Sequence, residues 1–333
     1  MRSRSLSVAM CTYNGSRYLG EQLQSIAAQD HLPSEMIICD DGSADDTVQL
    51  LTEFASQAPF PVHVEVNKER LGPAKNFEKA IGRCQGDIIA LADQDDIWKR
   101  PKLEGLAAAL EEHPSARYAF SDAEMVDERG ASRGDSLWGA MGFQGKLKEF
   151  SGEGQLRILL KHEVVTGAAM AFRVSLREII LPIPSEWLHD HWIALLGSAL
   201  FEGIPVPERL LMYRRHPAQL IGVKGDAISQ VWGASLATTG KDSWRKAQRF
   251  QELVERVTSV SSIADCPAGN MRLLEEKLVH LRVRASIRSS VGIKRVATVG
   301  REALTGRYQQ YSRSWRSVVR DLWPNVPVRR EPR

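Results

Sequence analysis

An unbroken apolar run, Ile88-Ile89-Ala90-Leu91-Ala92, stops at Asp93-Gln94-Asp95-Asp96. A short continuous apolar run bounded by polar residues reads as a strand buried on both faces, the habit of a parallel sheet covered by helices. Ligands of open α/β sheets bind outside the carboxyl ends of such strands, which sets Asp93 and Asp95 over a crevice. Two carboxylates this close suit a hard cation, and Mg2+ or Mn2+ is typically held by one or two carboxylates together with phosphate oxygens. The same grammar appears twice upstream. Ser5-Leu6-Ser7-Val8-Ala9-Met10 runs into Cys11-Thr12-Tyr13-Asn14-Gly15, and Met36-Ile37-Ile38-Cys39 into Asp40-Asp41-Gly42-Ser43. Three strand ends with polar turns, two of them containing Gly and each followed by a helical pattern, predict one composite site along one sheet edge. Taken singly, each has a plainer explanation. Asp-Asp-Gly-Ser also serves as a turn and helix cap for Asp45-Asp46-Thr47-Val48, and Asp96 reads as support for the following turn.

The remaining periodicity fits an α/β chain with a Rossmann-like sheet flanked by helices. Helical patterns occupy 17–29, 45–57, 73–84 and 99–112, alternating with strands near 5–10, 35–39, 62–66 and 87–92. Short strands near 117–121 and 167–173 precede a helix from about 190 to 201, and Pro205 and Pro207 bracket a further short strand toward Tyr213. The segment 128–154, rich in Gly and charge, reads as a mobile loop or acceptor-side insertion. At 333 residues the chain suits two units of roughly 150 each. Charge sets the expected division at 225/226: residues 226–333 carry 20 Lys and Arg against 10 Asp and Glu, whereas 1–225 carry 24 against 31. An acidic 1–225 unit fits a metal-binding crevice, and a basic, mainly α-helical 226–333 region suggests an anionic partner.

The first strand and its turn, Val8-Ala9-Met10-Cys11-Thr12-Tyr13-Asn14-Gly15, with Tyr18-Leu19 and Glu21-Gln22-Leu23, resembles the opening of a family 2 glycosyltransferase of the GT-A fold. Asp40-Asp41-Gly42-Ser43, Asn76-Phe77, Asp93-Gln94-Asp95-Asp96-Ile97-Trp98 and Lys102-Leu103-Glu104 continue the likeness. So do Thr166-Gly167 with Met170-Ala171-Phe172, His189-Asp190, and Tyr213-Arg214-Arg215-His216. The set spans roughly residues 5 to 222 and is most similar to the rhamnosyltransferase-like branch. The resemblance implies an inverting, metal-dependent transfer of a sugar, rhamnose from dTDP-rhamnose, to a hydroxyl of a bacterial surface glycan or lipid-linked acceptor. It implies that Cys11, Thr12, Tyr13, Asn14, Asp41, Asn76, Asp93, Thr166, Gly167 and Arg214 bind the nucleotide sugar, with the Asp41 carboxylate accepting a pyrimidine N–H. Asp93, Asp95 and His216 would hold Mn2+ or Mg2+, and Arg214 or Arg215 would pair with phosphate. Asp190 would be the base that takes the acceptor proton; the plainer expectation is that it only caps the helix beginning at His191. His189 and His191, two apart on a helix, point to different faces and do not suggest zinc.

Two other classes compete. Asp93-x-Asp95 after an apolar strand also resembles the start of a haloacid-dehalogenase-like phosphatase, although Ile97 stands where that family wants Thr or Val. A non-catalytic membrane-surface interaction protein with a GT-A domain is the other. Nicotinamide binding is excluded by the missing Gly-x-Gly-x-x-Gly. Thr239-Gly240-Lys241-Asp242 lacks the upstream Gly of a phosphate loop, and no module signature supports nucleic-acid binding. Cys11, Cys39, Cys84 and Cys266 show no paired spacing and read as thiols. No secretory signal and no apolar stretch of about 18–20 residues is visible, so the expectation is a cytoplasmic protein, with a peripheral position on the inner face of the plasma membrane as an option. That option rests on two helical stripes, Leu274, Leu278, Leu281 and Tyr308, Tyr311, Trp315, Val318, Leu322, each accompanied by Arg; packing of both stripes on the catalytic domain or on a partner subunit is the equal alternative.

Overall fold

The apolar runs form adjacent parallel strands in a computed structural model that describes residues 4–217, 219 and 240–323. In chain order the elements of the larger unit begin β1 (Leu6–Thr12), α1 (Ser16–Ala27), β2 (Glu35–Asp40), α2 (Thr47–Gln57), β3 (Val62–Val66), α3 (Pro73–Arg83), β4 (Ile88–Ala92) and β5 (Ile97–Trp98). They continue with α4 (Lys102–Glu112), β6 (Ala116–Val126), β7 (Ser132–Ser136) and α5 (Leu137–Met141). A short helix of the smaller unit, α6 (Glu153–Leu159), interrupts before β8 (Met170–Arg173), α7 (Arg177–Ile180), α8 (His189–Leu200) and β9 (Glu202–Arg214). The sheet runs β3-β2-β1-β4-β8-β6-β9-β5, with β7 paired to β6. β1 lies parallel to both β2 and β4, Cys11 opposite Cys39 and Met10 opposite Ala92. β4 is buried along its whole length and β1 and β2 nearly so, which is why their sequences show no alternation. Parallel neighbours bring their carboxyl ends to one edge, so the three polar clusters converge.

Beyond β4 the sheet changes direction. β8 is antiparallel to both β4 and β6, and β9 is a long strand rather than a short one, with Pro205 and Pro207 inside it. Tyr118 of β6 explains two glycines. A Cβ at Gly203 would meet its ring at 2.0 Å, and one at Gly197 at 2.8 Å, while its hydroxyl bonds Ser198 Oγ at 2.6 Å.

The segment 128–154, expected to be a mobile loop or an acceptor-side insertion, is not a plain loop: it contains β7, α5 and a 3-10 turn, Gln144–Glu149. Trp138, Phe143 and Phe150 pack on Phe120 with ring centroids 5.3–5.8 Å away. Ser136 caps α5 by accepting from Gly139 N, and Asp122 accepts from Trp138 N at 2.9 Å. Buried aromatic surface outweighs the polar composition here.

The described residues divide into two units, one drawn from Met1–Ser151 and Glu163–Ala218, the other from Gly152–His162 and Gln219–Arg333. The expected boundary at 225/226 lies outside the described residues. The smaller unit combines α6 with α9 (Gly240–Ser259), α10 (Ala268–Ser289), α11 (Gly292–Leu304), α12 (Arg307–Tyr311) and α13 (Ser314–Leu322). Leu253, Val257, Leu273, Leu274, Leu278, Tyr308 and Tyr311 form its core. Leu274, Leu278, Tyr308 and Tyr311 therefore pack inside this unit, which removes them from any outward face, whereas Trp315 of the second stripe is exposed. Buried polar pairs complete the core: His280 meets Glu302 at 2.7 Å, and Arg284 holds Asp321 through two bonds of 2.6 and 3.0 Å. Among the described residues no helix is long and apolar enough to cross a membrane. All four cysteines are free thiols.

Candidate active site

The ends of β1 and β2 are laced together. Asp40, wholly buried, accepts from Thr12 Oγ1 at 2.7 Å and from the backbone N–H groups of Gly42 and Ser43. Asn14 adopts φ 47°, an αL conformation that Asn tolerates well. Its N–H donates to Ser43 Oγ and its side chain accepts from Ala44 N. Gln94 clamps the neighbouring turn: its Oε1 accepts from Tyr13 N at 2.8 Å and its Nε2 donates to Tyr13 O at 3.1 Å. The turn from Thr12 to Asn14 is thus held on one side by the β2 end and on the other by the β4 end.

Asp41 is buried and accepts three bonds from the loop after β3, from Asn67 Nδ2 at 3.0 Å, Leu71 N at 2.6 Å and Gly72 N at 2.8 Å. A carboxylate offers about four lone pairs, so a second acceptor direction remains on Oδ2, which also lies 3.9 Å from Arg70 Nε. Asn76 lies behind this loop. Its Nδ2 donates to Cys39 O and its Oδ1 accepts from Asn67, so it acts on the crevice through Asn67. Arg70 stacks over the Tyr13 ring at 3.8 Å.

At the β4 end, Gln22 fixes the Asp93 backbone by donating to its carbonyl at 2.9 Å. Asp95 Oδ2 lies 2.9 Å from His216 Nε2, and the His216 ring packs on Tyr18 with centroids 4.5 Å apart. Two predicted ligands 121 residues apart in the sequence therefore meet. Asp96 does more than support its turn: it accepts from Arg214 N at 3.0 Å and anchors β9. Arg214 is 1% exposed and bonds Asp95 O at 2.9 Å, Glu128 O at 3.0 Å and the Glu21 carboxylate. These bonds make it a strut beneath the turn, where the sequence suggested that Arg214 or Arg215 pairs with phosphate. Lys102 is fully buried, donates to Ala168 O, and lies 3.4 Å from the Trp98 ring centroid. Burial pushes Lys102 down and Asp96 up, each opposed by the other's charge.

Asp190 closes the far side. It sits in the first turn of α8, where Oδ2 accepts from Gly167 N at 3.0 Å and Oδ1 from His191 N at 2.7 Å. Thr166-Gly167 and His189-Asp190, separate in sequence, are one feature in space. A Cβ at Gly167 would meet His189 Nε2 at 2.5 Å, and His189 is itself stacked on Phe77 at 3.7 Å. Glycine is required there for close approach. His189 and His191 diverge as expected: His191 Nδ1 faces Glu163 at 3.6 Å.

The carboxylates share one field. Burial, then Asp95 and then Asp190 push the Asp93 carboxyl up to about 7. Tyr213 is pushed up by burial and by the charges of Asp96, Asp93, Asp95 and Asp190, so its hydroxyl stays protonated among them. Sequence reasoning missed Gln94, Asn67, Arg70, Gln22, Lys102 and Tyr213 as parts of the site. Gln22, Gln94, Lys102 and Tyr213 lie within the motifs that carry the family resemblance, whereas nothing local marks Arg70.

Because the folded Asp93 binds its proton more tightly than the unfolded one, its contribution to stability is present below about pH 4 and lost as pH rises through about 7. Asp93→Asn is expected to melt at a higher temperature than wild type at pH 8 without divalent ions, the difference closing at pH 4. A difference that ignores pH would show that Asp93 is ionised without penalty.

Among the described residues no three His, Cys, Asp or Glu side chains form a ready-made metal cluster. The donor set nevertheless fits a hard divalent ion. Asp95 and His216 are already in contact, Asp93 is crowded by like charge that a cation relieves, and Mg2+-type ions commonly complete their shell with substrate phosphate and water.

A family model described as glycosyl transferase family 2 matches residues 7–179. An uncharacterized protein of Mycobacterium tuberculosis is 27% identical over 214 residues, which is 63% of this chain and 59% of that relative. The chain thus spans less than two thirds of that relative's length. The Staphylococcus aureus poly(ribitol-phosphate) beta-N-acetylglucosaminyltransferase TarS is 32% identical over 112 residues, 33% of this chain and 19% of that protein. Residues 1–349 of TarS, solved in complex with UDP-GlcNAc, match with a TM-score of 0.61 at 16% identity, covering 96% of this chain and 88% of that one. The mannosyltransferase PcManGT from Pyrobaculum calidifontis, solved with GDP-Man and Mn2+, matches with a TM-score of 0.52 at 19% identity, covering 98% and 89%. At these identities the structural likeness is one of fold.

Proposed function

This chain belongs to glycosyl transferase family 2 and has the GT-A fold, and on that footing we propose that it moves a sugar from a nucleoside-diphosphate donor to an acceptor hydroxyl with inversion. Family membership favours transfer over the phosphatase alternative. The observation that carries the reading is the convergence of the β1, β2 and β4 ends, with the charge of Asp190 acting on Asp93. The base and ribose would lie between the Thr12–Asn14 turn and Asp41, whose remaining lone pair suits a pyrimidine N–H, with Arg70 and Tyr13 as a stacked wall. Asp93, Asp95 and His216 would hold Mn2+ or Mg2+ beside the diphosphate, where the ion supplies Lewis-acid neutralisation of the leaving group. Thr166 and Gly167 would border the transferred sugar. Asp190 would take the acceptor proton as the hydroxyl attacks the face opposite the diphosphate. Asp190 would thus stand on the side of an oxocarbenium-like centre opposite the leaving group.

For the donor we infer dTDP-rhamnose, and for the acceptor a bacterial surface glycan or lipid-linked saccharide, both from the rhamnosyltransferase-like motif set. The TarS likeness makes UDP-N-acetylglucosamine the rival donor. Thermal shift with UDP-, dTDP- and GDP-sugars, with and without Mn2+, separates them. The expected result is stabilisation by dTDP-rhamnose with Mn2+ and its loss in EDTA. Stabilisation by UDP-N-acetylglucosamine alone would replace the donor sugar, and no response to any nucleotide sugar would overturn the transferase reading.

A further inference from the structure

The helix α11, Gly292–Leu304, is built inside out. Its inward side carries Glu302, 4% exposed and bonded to His280 and Arg307, together with Val299. Its solvent side carries Ile293, Val296, Ala297, Gly300 and Leu304, at spacings of three, four, seven and eleven residues from the first. At 3.6 residues per turn these five share one face. Ile293 is 85% and Leu304 89% exposed, so the stripe is uncovered, and Val291 just before it extends the apolar surface at 78%. The neighbouring α13 repeats the inversion. Ser317 and Asp321 point inward, the latter bonded to Arg284 and Tyr308, while Trp315 and the following Trp323 are exposed. A water-soluble helix normally turns such a stripe to the core, and an uncovered one marks an interaction surface.

The charge on these helices selects the partner. Residues 292–323 contain seven Lys and Arg against two acids, Glu302 and Asp321. Both acids are buried and paired inward, so the outward charge is basic. Lys294 and Arg301 flank the apolar stripe on one side, and Arg313 and Arg316 lie exposed around α13. A second copy of this chain docked on the same patch by a two-fold axis would set one basic rim against another. An anionic lipid surface meets all three features at once. Apolar side chains enter the acyl boundary, Lys and Arg meet phosphate headgroups, and Trp sits at the interface.

We propose that the α11 stripe with its basic flanks and the exposed tryptophans of α13 is a docking surface for an anionic bilayer, on residues other than the buried Tyr308, Tyr311, Leu274 and Leu278. The proposal does not depend on which donor the active site takes. Co-sedimentation of the full chain with phosphatidylcholine vesicles, with and without phosphatidylglycerol, tests it across a salt series. Wild type is expected to pellet with the anionic vesicles at low salt and to release as salt rises. Ile293→Glu with Leu304→Glu should weaken that binding by about tenfold or more, and Lys294→Glu with Arg301→Glu should do the same, with melting temperature unchanged in both because these side chains are exposed. Three results would each overturn the proposal. Wild type could ignore anionic vesicles at every salt, or both double variants could bind as wild type does. The first double variant could also turn a wild-type dimer into a monomer in sedimentation while no vesicle binding is found, which would assign the stripe to self-association.

Discussion

Asp95→Ala is expected to abolish divalent-dependent donor binding and to lower turnover by roughly 10³ or more, the several kcal/mol that a Lewis acid contributes to a developing charge. The side chain touches His216 at 2.9 Å, so its removal takes away one ligand and frees the other from its position. Asp93 alone cannot hold the ion against water. Structural damage should be small by comparison, because the bond from Arg214 Nε runs to the Asp95 backbone carbonyl, which alanine retains. Asp93→Ala should be milder: it removes a ligand but also a crowded, partly protonated carboxyl. Calorimetric titration of the donor with and without Mn2+, beside steady-state turnover, distinguishes the cases. Donor affinity and turnover unchanged in Asp95→Ala would refute the ligand assignment.

What could be read in the sequence was set by how locally each feature is determined. β1, β2 and β4 are legible because both faces are buried and the apolar run has no alternative use. The clusters at their ends are legible because parallel neighbours must present their carboxyl ends together. β5 escapes notice because two residues, Ile97 and Trp98, carry no period, and their partners Met212 and Leu211 lie far away in the chain. The aromatic cluster of Trp138, Phe143 and Phe150 escapes for a related reason. Its spacing matches neither helix nor strand, and its meeting point, Phe120, is on another element.

Arg214 and the C-terminal helices show a different kind of limit. An arginine after the last strand suggests an anion, yet the Asp95 and Glu128 carbonyls and the Glu21 carboxylate take its donors, and only the fold brings those acceptors together. For α11 and α13 the assumption that apolar faces turn inward fails. The inward positions are claimed by Glu302 and Asp321, whose partners His280 and Arg284 lie on α10. A buried polar group must be paired, and that pairing, not the hydrophobic period, sets the rotation of these two helices.

The second large effect is expected at Asp190. Each of its oxygens accepts one backbone N–H, from Gly167 at 3.0 Å and from His191 at 2.7 Å. Its remaining lone pairs are available to an acceptor hydroxyl. Asparagine has one accepting oxygen, so Asp190→Asn turns an NH2 toward one of those N–H groups, at a penalty of about 1–3 kcal/mol in stability. A purely structural Asp190 would stop there, with a lower melting temperature and normal transfer per folded molecule. As the base, it should also lose about 10²–10⁴ in kcat while donor affinity stays near wild type, because the proposed donor site is built from the β1, β2 and β4 ends. Conservative rescue supplies the second readout: Asp190→Glu keeps a carboxylate at this position and should restore part of the rate. Measuring melting temperature, donor affinity and kcat on the same preparations keeps the two roles apart, and an Asp190→Asn protein that transfers sugar at the wild-type rate would return this residue to holding Gly167 in place.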